Sequence, residues 1–280
     1  REHFTLFDPH EVSHVMGFQL EDYYDDDTNK AFTEKYLACE ASPDLHGIEV
    51  SALDMMKKIM RSAVETGTPF IFFRDTTNRA NPNKHAGMIY ASNLCHEIAQ
   101  NVGFTNLDEE IIQDDGSIVT RTKAGDMVTC NLNSINLGQT SDEELEENIA
   151  LQVRMLDNVI TINQFPVPET RVTSEKYRAI GLGTSGYHHY LVKHKVQWES
   201  EAHLEIADTL FENIAYAAIK ASMELAKEKG AYPAFKGSQW ETGEYFERRG
   251  YTSERWQQLK ADVAKYGIRN GYLMAIAPTG

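Results

Sequence analysis

Five consecutive residues, Asn93-Leu94-Cys95-His96-Glu97, bring together an amide, a thiol, an imidazole and a carboxylate. On an extended backbone, side chains two apart share a face, so Asn93, Cys95 and Glu97 would line one side. That trio offers a group to orient a small substrate, a sulfur that can react and a general base. The plainer reading makes Cys95 a small buried hydrophobe and leaves Glu97 in water. A Cys-His-Glu metal site fits poorly. Adjacent strand residues face opposite sides, and no second ligand pair has suitable spacing.

Three other stretches have possible chemistry. Cys130 lies in Val128-Thr129-Cys130-Asn131-Leu132-Asn133-Ser134-Ile135-Asn136-Leu137-Gly138, a mixed polar and apolar run where a structural cysteine is the simpler reading. A redox role there needs a partner thiol at disulfide distance, and only Cys39 and Cys95 are available in this chain. Gly181-Leu182-Gly183-Thr184-Ser185-Gly186 matches a dinucleotide fingerprint, which would make the chain a nicotinamide-dependent dehydrogenase. The match requires a full strand before it, and Tyr177 to Ile180 makes a poor one, although a helix through Tyr190 and Glu201 are suitably placed. Close packing of a glycine-rich strand end against a helix is the preferred account, with His188 and His189 on the helix face. Ala277-Pro278-Thr279-Gly280 follows an apolar run, and its hydroxyl and glycine amide could cradle a phosphate, though an ordinary turn needs no ligand.

The elements that must position these residues follow from periodicity and punctuation. Phe4 to His10 reads as a strand leading into a turn at Pro9, and Glu21 to Asp27 as a solvated acidic face. Ser51 caps a helix carrying Leu53, Met56, Ile59, Met60 and Ala63, which Gly67 ends. Pro69 to Phe73 reads as a buried strand, Arg74 to His85 as a polar loop, Met88 to Ile98 as extended and Val128 to Leu137 as a second strand. Ser141 to Glu144 is a capping box opening a helix with Leu145, Ile149, Val153, Leu156 and Ile160 on one face. Further helices run from about Glu201 to Lys229, stopped by Gly230, and over roughly Ser253 to Lys265. Asn270 to Ala277 returns to strand. Alternating strands and helices predict an α/β fold.

The chain has 280 residues, with 42 acidic and 27 basic side chains, a formal charge of −15. That balance argues against DNA or RNA as a ligand, because polyanion binders cluster Lys and Arg, but leaves room for a single nucleotide in a local pocket. No run approaches the roughly 18 apolar residues of a membrane span, and no signal peptide is visible. Three cysteines do not make a disulfide framework, which points to a reducing, cytoplasmic setting. A non-catalytic alternative is an acidic scaffold whose Glu21 to Asp27 and Ser141 to Glu147 patches attract basic partners. The opening Arg1 and the final turn suggest a piece of a longer protein.

In order along the chain, Asn-Leu-Cys-x-Glu, Thr-Cys-Asn-Leu-x-Ser-Ile-Asn-Leu, Arg-x-Ile-Gly-Leu-Gly and Ala-Pro-Thr-Gly resemble the large, catalytic (alpha) subunit of ribonucleotide reductase. Thr5 to Val12, Thr66 to Pro82 and Gly267 to Asn270 extend the likeness over most of the sequence. The resemblance implies part of a ten-stranded α/β barrel with a central finger loop. Residues 1–280 would form one catalytic barrel fragment, with the finger near 90–100 and a phosphate-binding loop starting at 278–280. By the same resemblance, Cys95 becomes a thiyl radical that takes the ribose 3′ hydrogen, Glu97 accepts the 3′-hydroxyl proton and Asn93 orients the ribose. Leu94 and His96 flank the substrate. Cys130 is one of two reducing thiols, and Pro278, Thr279 and Gly280 hold phosphate.

The implied activity is ribonucleoside-diphosphate reduction for DNA synthesis, with no metal or cofactor held by this stretch. A metal-containing small subunit would supply the radical; the alternative is adenosylcobalamin. A thioredoxin- or glutaredoxin-type dithiol would re-reduce the enzyme, and the complete subunit would be an allosteric homodimer. The family's partner for Cys130 lies upstream of Arg1, and Cys39 does not match it. The family's relay tyrosines and terminal thiol pair lie beyond Gly280, so these 280 residues alone are not expected to turn over.

Overall fold

A computed structural model of the chain describes residues 1–24 and 28–279. Asp25 to Asp27, part of the acidic stretch above, and Gly280 of the expected phosphate loop lie outside the described residues. The chain divides into two compact units, Arg1–Ala80 and Asn81–Gly280.

In the first unit, β1 (His3–Phe7) is followed by α1 (Pro9–Met16), a short 3-10 turn (Leu20–Tyr23), α2 (Lys30–Ala41), β2 (Gly47–Ser51), α3 (Ala52–Thr66) and α4 (Arg74–Arg79). β1 and β2 pair antiparallel from His3 opposite Ser51 to Phe7 opposite Gly47. The Ser51 hydroxyl accepts the Asp54 N–H at 3.3 Å, and Gly67 closes α3 at φ 76°, a left-handed position where glycine pays no Cβ penalty. Cys39 is buried on α2, and burial pushes its thiol pKa up. Two expectations fail here. Residues 69–73 form no strand and join none of the sheets among the described residues, and Phe70, Ile71 and Phe73 are exposed, so the apolar run is not a buried strand. Within the expected polar loop, residues 74–79 are helical.

The second unit contains β3 (Asn106–Ile112), β4 (Ile118–Lys123), β5 (Leu132–Asn136), α5 (Leu145–Ile162), α6 (Pro168–Tyr177) and β6 (Gly181–Ser185). There follow α7 (Tyr187–Lys193), α8 (Glu201–Lys229), α9 (Gln239–Thr242), α10 (Glu244–Arg248) and α11 (Glu254–Tyr266). β3 and β4 make an antiparallel hairpin that periodicity did not predict. β5 and β6 pair in parallel, joined by the crossover through α5 and α6. The core lies where α5 packs on α8: Ile149, Val153, Ile214 and Ala218 are fully buried, at the helical spacing expected of one apolar face. The Ser141 hydroxyl does bond the Glu144 carboxylate at 2.9 Å, but as a turn just ahead of the helix rather than as its cap.

The ten-stranded barrel is corrected by these observations. The described residues hold three two-stranded sheets, none closed or curled. A barrel needs every strand to have a neighbour on each side. Among the strand-like segments, 88–102 meets itself only at two isolated bridges, 69–73 joins no ladder, and 270–277 touches β6 through a single bridge at Met274.

One buried ionic cluster ties this unit together. Asp157 on α5 is fully buried and accepts from Arg178 at 2.7 Å, Arg269 at 3.2 Å, Lys229 at 3.3 Å and the Asn270 amide at 3.3 Å. Burial alone would raise the carboxyl pKa, but the surrounding cations, Arg178 foremost, hold it below its ordinary value. Arg269 also donates to the Lys229 and Gly230 carbonyls, satisfying the C-terminal end of α8.

Candidate active site

Asn93 to Glu97 sit at the tip of a hairpin, not on a strand. Antiparallel bridges join Met88 to Val102 and Ser92 to Ala99, and the chain reverses between them. The His96 N–H donates to the Asn93 carbonyl at 3.2 Å, closing a β-turn, and His96 itself takes a left-handed φ of 72°. The Asn93 side chain completes the tip: its Oδ1 accepts the Ile98 N–H at 3.0 Å, and its Nδ2 reaches the Cys130 sulfur at 3.6 Å. Two-residue alternation is therefore not what gathers these groups. The turn and one bifunctional amide do it.

Cys95 and Cys130 are both exposed free thiols. Burial of the sulfur pushes the Cys130 pKa up; the Asn93 amide pulls it down, and the nearby Glu97 carboxylate and Cys95 raise it further. The direct contact between the tip and Cys130 is the one from Asn93. The net result keeps Cys130 a protonated thiol at neutral pH, suited to delivering hydrogen rather than acting as a standing thiolate. Glu97 is half-buried, and its Oε2 is sealed from solvent with no hydrogen-bond partner among the described residues. A buried, unpaired carboxylate oxygen carries an energetic cost that a donor on a bound molecule would relieve. Cys130 also lines a cavity of about 320 Å³, together with Thr129, Asn131, Val159, Phe165 and Ser174.

The remaining expectations divide. Leu94 is 89% exposed at the tip, free to meet a ligand. The Thr279 hydroxyl donates to the Thr184 carbonyl at 3.1 Å, anchoring the last turn to the end of β6, and Pro278 is exposed. The glycine fingerprint is corrected: Gly181 to Ser185 is strand β6 itself, not a phosphate-cradling turn after a strand. Its glycines are needed because a Cβ at Gly181 would strike Leu132 and one at Gly183 would strike the Ala275 carbonyl. The close neighbours are thus strand β5 and the extended segment around Ala275, not the helix expected. His188 and His189 are exposed on α7, as read from the sequence. Among the described residues, no group of three or more His, Cys, Asp or Glu is placed to hold a metal ion, and no helix is long and apolar enough to cross a membrane.

Sequence reasoning missed the base of the hairpin. Asn81, Asn83 and Asn101 are completely or almost completely buried there, in contact with Tyr177, Tyr232 and Tyr272. The signal present was two asparagines in the polar loop and a third just after the extended stretch, which the sequence offers equally as ordinary turn formers.

Comparison with known proteins adds the family. A sequence profile described as "Ribonucleotide reductase, barrel domain" matches residues 1–280. The chain is 49% identical over 280 residues to the ribonucleoside-diphosphate reductase subunit alpha of Treponema pallidum, covering 98% of this chain and 33% of that protein. It is 36% identical to the subunit of the same name from Helicobacter pylori strain 26695, covering 98% of this chain and 40% of that protein. With the corresponding Synechocystis protein it shares 36% identity, over 99% of this chain and 34% of the relative. The chain thus spans between a third and two-fifths of the length of these relatives.

Proposed function

From the premise that the chain belongs to the ribonucleotide reductase barrel-domain family, we propose that it forms the substrate-reducing part of a ribonucleoside-diphosphate reductase large subunit. The observation that carries this reading is the Asn93 amide, which closes the hairpin tip bearing Cys95 and Glu97 and touches the Cys130 sulfur. Breaking a ribose C–H bond requires an odd-electron species, which a thiyl can be and no closed-shell side chain is. Cys95, as thiyl, takes the 3′ hydrogen atom and becomes a thiol. Glu97, with its unpaired Oε2, takes the 3′-hydroxyl proton. The 2′-hydroxyl leaves as water after gaining a proton from a thiol. Cys130 and a second cysteine then supply two electrons and end as a disulfide, and Cys95 returns its hydrogen to C3′. The raised pKa of Cys130 favours the protonated thiol this sequence needs.

Within this reading, the radical comes to Cys95 from a metal-containing small subunit. An external dithiol of the thioredoxin or glutaredoxin type reduces the disulfide, and the diphosphate substrate agrees with the names of the relatives. Pro278, Thr279 and Gly280 would begin the phosphate-holding loop.

The test uses the complete subunit that includes this chain, with its radical source and reductant. Cys95→Ser should bring deoxyribonucleotide formation to background while nucleotide binding persists. Cys130→Ser should stop turnover at the reduction step. A Cys95→Ser enzyme with wild-type activity would overturn the assignment.

A further inference from the structure

The hairpin from Met88 to Val102 has little backbone ladder to hold it. Its arms meet at the Met88–Val102 and Ser92–Ala99 bridges, with the Val102 N–H donating to the Met88 carbonyl at 2.9 Å. So sparse a ladder specifies register weakly, and a slip of one residue would send every side chain to the opposite face. The turn that bears Cys95 and Glu97 would then form on other residues, and Asn93 would lose its contact with Cys130. Something other than strand pairing must fix the register.

Asn101, next to the Val102 bridge, is 0% exposed, and its side-chain amide and backbone N–H are all engaged. Its Nδ2 donates to the Asn83 carbonyl at 2.9 Å and to the Tyr177 hydroxyl at 3.1 Å. Its Oδ1 accepts from Asn81 Nδ2 at 2.8 Å, and its backbone N–H donates to the Tyr272 hydroxyl at 3.2 Å. Each partner is itself committed. Tyr177 donates to Asp126 at 2.8 Å, Tyr272 donates to Asn81 Oδ1 at 3.2 Å, and Asn83 accepts from Tyr232 at 2.6 Å while donating to the Gly271 carbonyl at 2.9 Å. The opposite arm is fitted to the same amide: a Cβ on Gly87 would come within 3.2 Å of the Asn101 side chain.

We propose that Asn101 is a positioning residue: clamped by Tyr177 and Tyr272, it sets the register of the hairpin and so seats the tip that bears Cys95 and Glu97 against Cys130, where Asn93 meets the sulfur. An apolar residue of the same volume would fill the space in several registers. An amide that must meet donors and acceptors on four sides fits one, since any slip strands buried polar groups together. The phenols act at the base and never touch substrate, so their effect should fall on the reacting geometry rather than on binding. The inference rests on the reading of Cys95 as the reacting thiol.

The test uses the complete subunit with its radical source and reductant. Tyr177→Phe and Tyr272→Phe each remove one oxygen from the clamp and keep the packed ring. Each should lower kcat per folded active site by about ten- to a hundredfold, the usual penalty for slight misplacement of reacting groups, with KM for the nucleotide unchanged. Combining either with Asn101→Ala should cost no more than Asn101→Ala alone, because one unit is being dismantled. If Asn101→Ala fails to fold, the two Phe variants and their double variant carry the test, and the double should then match the worse single. Unchanged kcat in both folded Phe variants, or strictly additive losses, overturns the clamp and leaves the reading of Cys95 standing. A wild-type-like Cys95→Ser enzyme overturns that reading instead.

Discussion

The hairpin from Met88 to Val102 and the hairpin of β3 and β4, which follows it along the chain, are held by different forces. β3 and β4 pair from Asn106 opposite Lys123 to Ile112 opposite Ile118, with one shift of register between Leu107 and Glu109. Every residue of both strands is exposed. The earlier hairpin has two isolated bridges, yet Ile89, Ile98, Gln100 and Asn101 are all buried. The two meet where the Gly103 N–H donates to the Asp126 carbonyl at 3.0 Å, and where a Cβ on Gly125 would strike the backbone of Gly103 and Phe104. Backbone bonds suffice to make two strands adjacent, but they leave the pair free to move as a ribbon. Buried side chains fix a hairpin against the rest of the molecule. If Cys95 is the reacting thiol, as proposed, its tip needs the second kind of support, because reacting atoms must be held to within a fraction of an ångström.

The sharpest way to break this comparison is to delete the same atoms from each hairpin. Ile98 is 4% exposed and Ile112 is 74% exposed. Ile98→Ala should destabilise the chain by about 2–4 kcal/mol, through lost burial and the cavity left behind. Ile112→Ala should change stability by no more than about 0.5 kcal/mol. Urea unfolding of the two variants measures both. Equal costs would mean that the first hairpin is no better anchored than the second, and the argument from burial would fail.

The same contrast marks what could be read from sequence. Helices α3, α5 and α8 were legible because their apolar spacing, the Ser51 cap of α3 and the stops at Gly67 and Gly230 are local signals. The chemical trio was legible as a motif, but its geometry was not. The left-handed turn at His96 and the Asn93–Cys130 contact join residues whose meeting no periodicity encodes. Long-range polar pairing was equally hidden. Arg178 read as part of a poor strand, yet it ends α6 at φ 45° and binds the buried Asp157. Apolar runs at 69–73, 88–98 and 270–277 looked like strands, because local sequence carries β-propensity but not the presence of a partner. The closed barrel was expected from the family resemblance rather than from these runs, and the described residues form three separate pairs instead.

A smaller effect should follow from removing the second hairpin. Asn106 and Lys123 face each other at its base, so a two-residue Asn-Gly turn can join them after residues 107–122 are excised. No buried side chain is lost in that deletion. The shortened chain should melt within about 3 °C of the original, a shift of the size expected from a change below 1 kcal/mol. A larger fall would show that the ribbon supports the first hairpin through the Gly103–Asp126 junction and would merge the two regions into one mechanical unit.

The smallest effect lies at the tip of the exposed ribbon, where Asp115 accepts the Ser117 hydroxyl at 2.6 Å and the Ser117 N–H at 2.9 Å. The hydroxyl first, then the backbone N–H, holds the Asp115 carboxyl below its ordinary pKa. A carboxylate depressed in the folded state stabilises that state above its unfolded pKa, and the contribution disappears as pH falls through the folded value. NMR titration of the Asp115 side chain should therefore give a midpoint below that of an unstructured peptide. In Ser117→Ala the midpoint should return only part of the way, because the backbone donor remains. The turn should loosen over that acidic window while the chemical shifts of Asn93 and Cys95 stay unchanged. Movement of the first hairpin's signals with the Asp115 midpoint would show the two tips to be coupled, against the view that only one of them is anchored to the core.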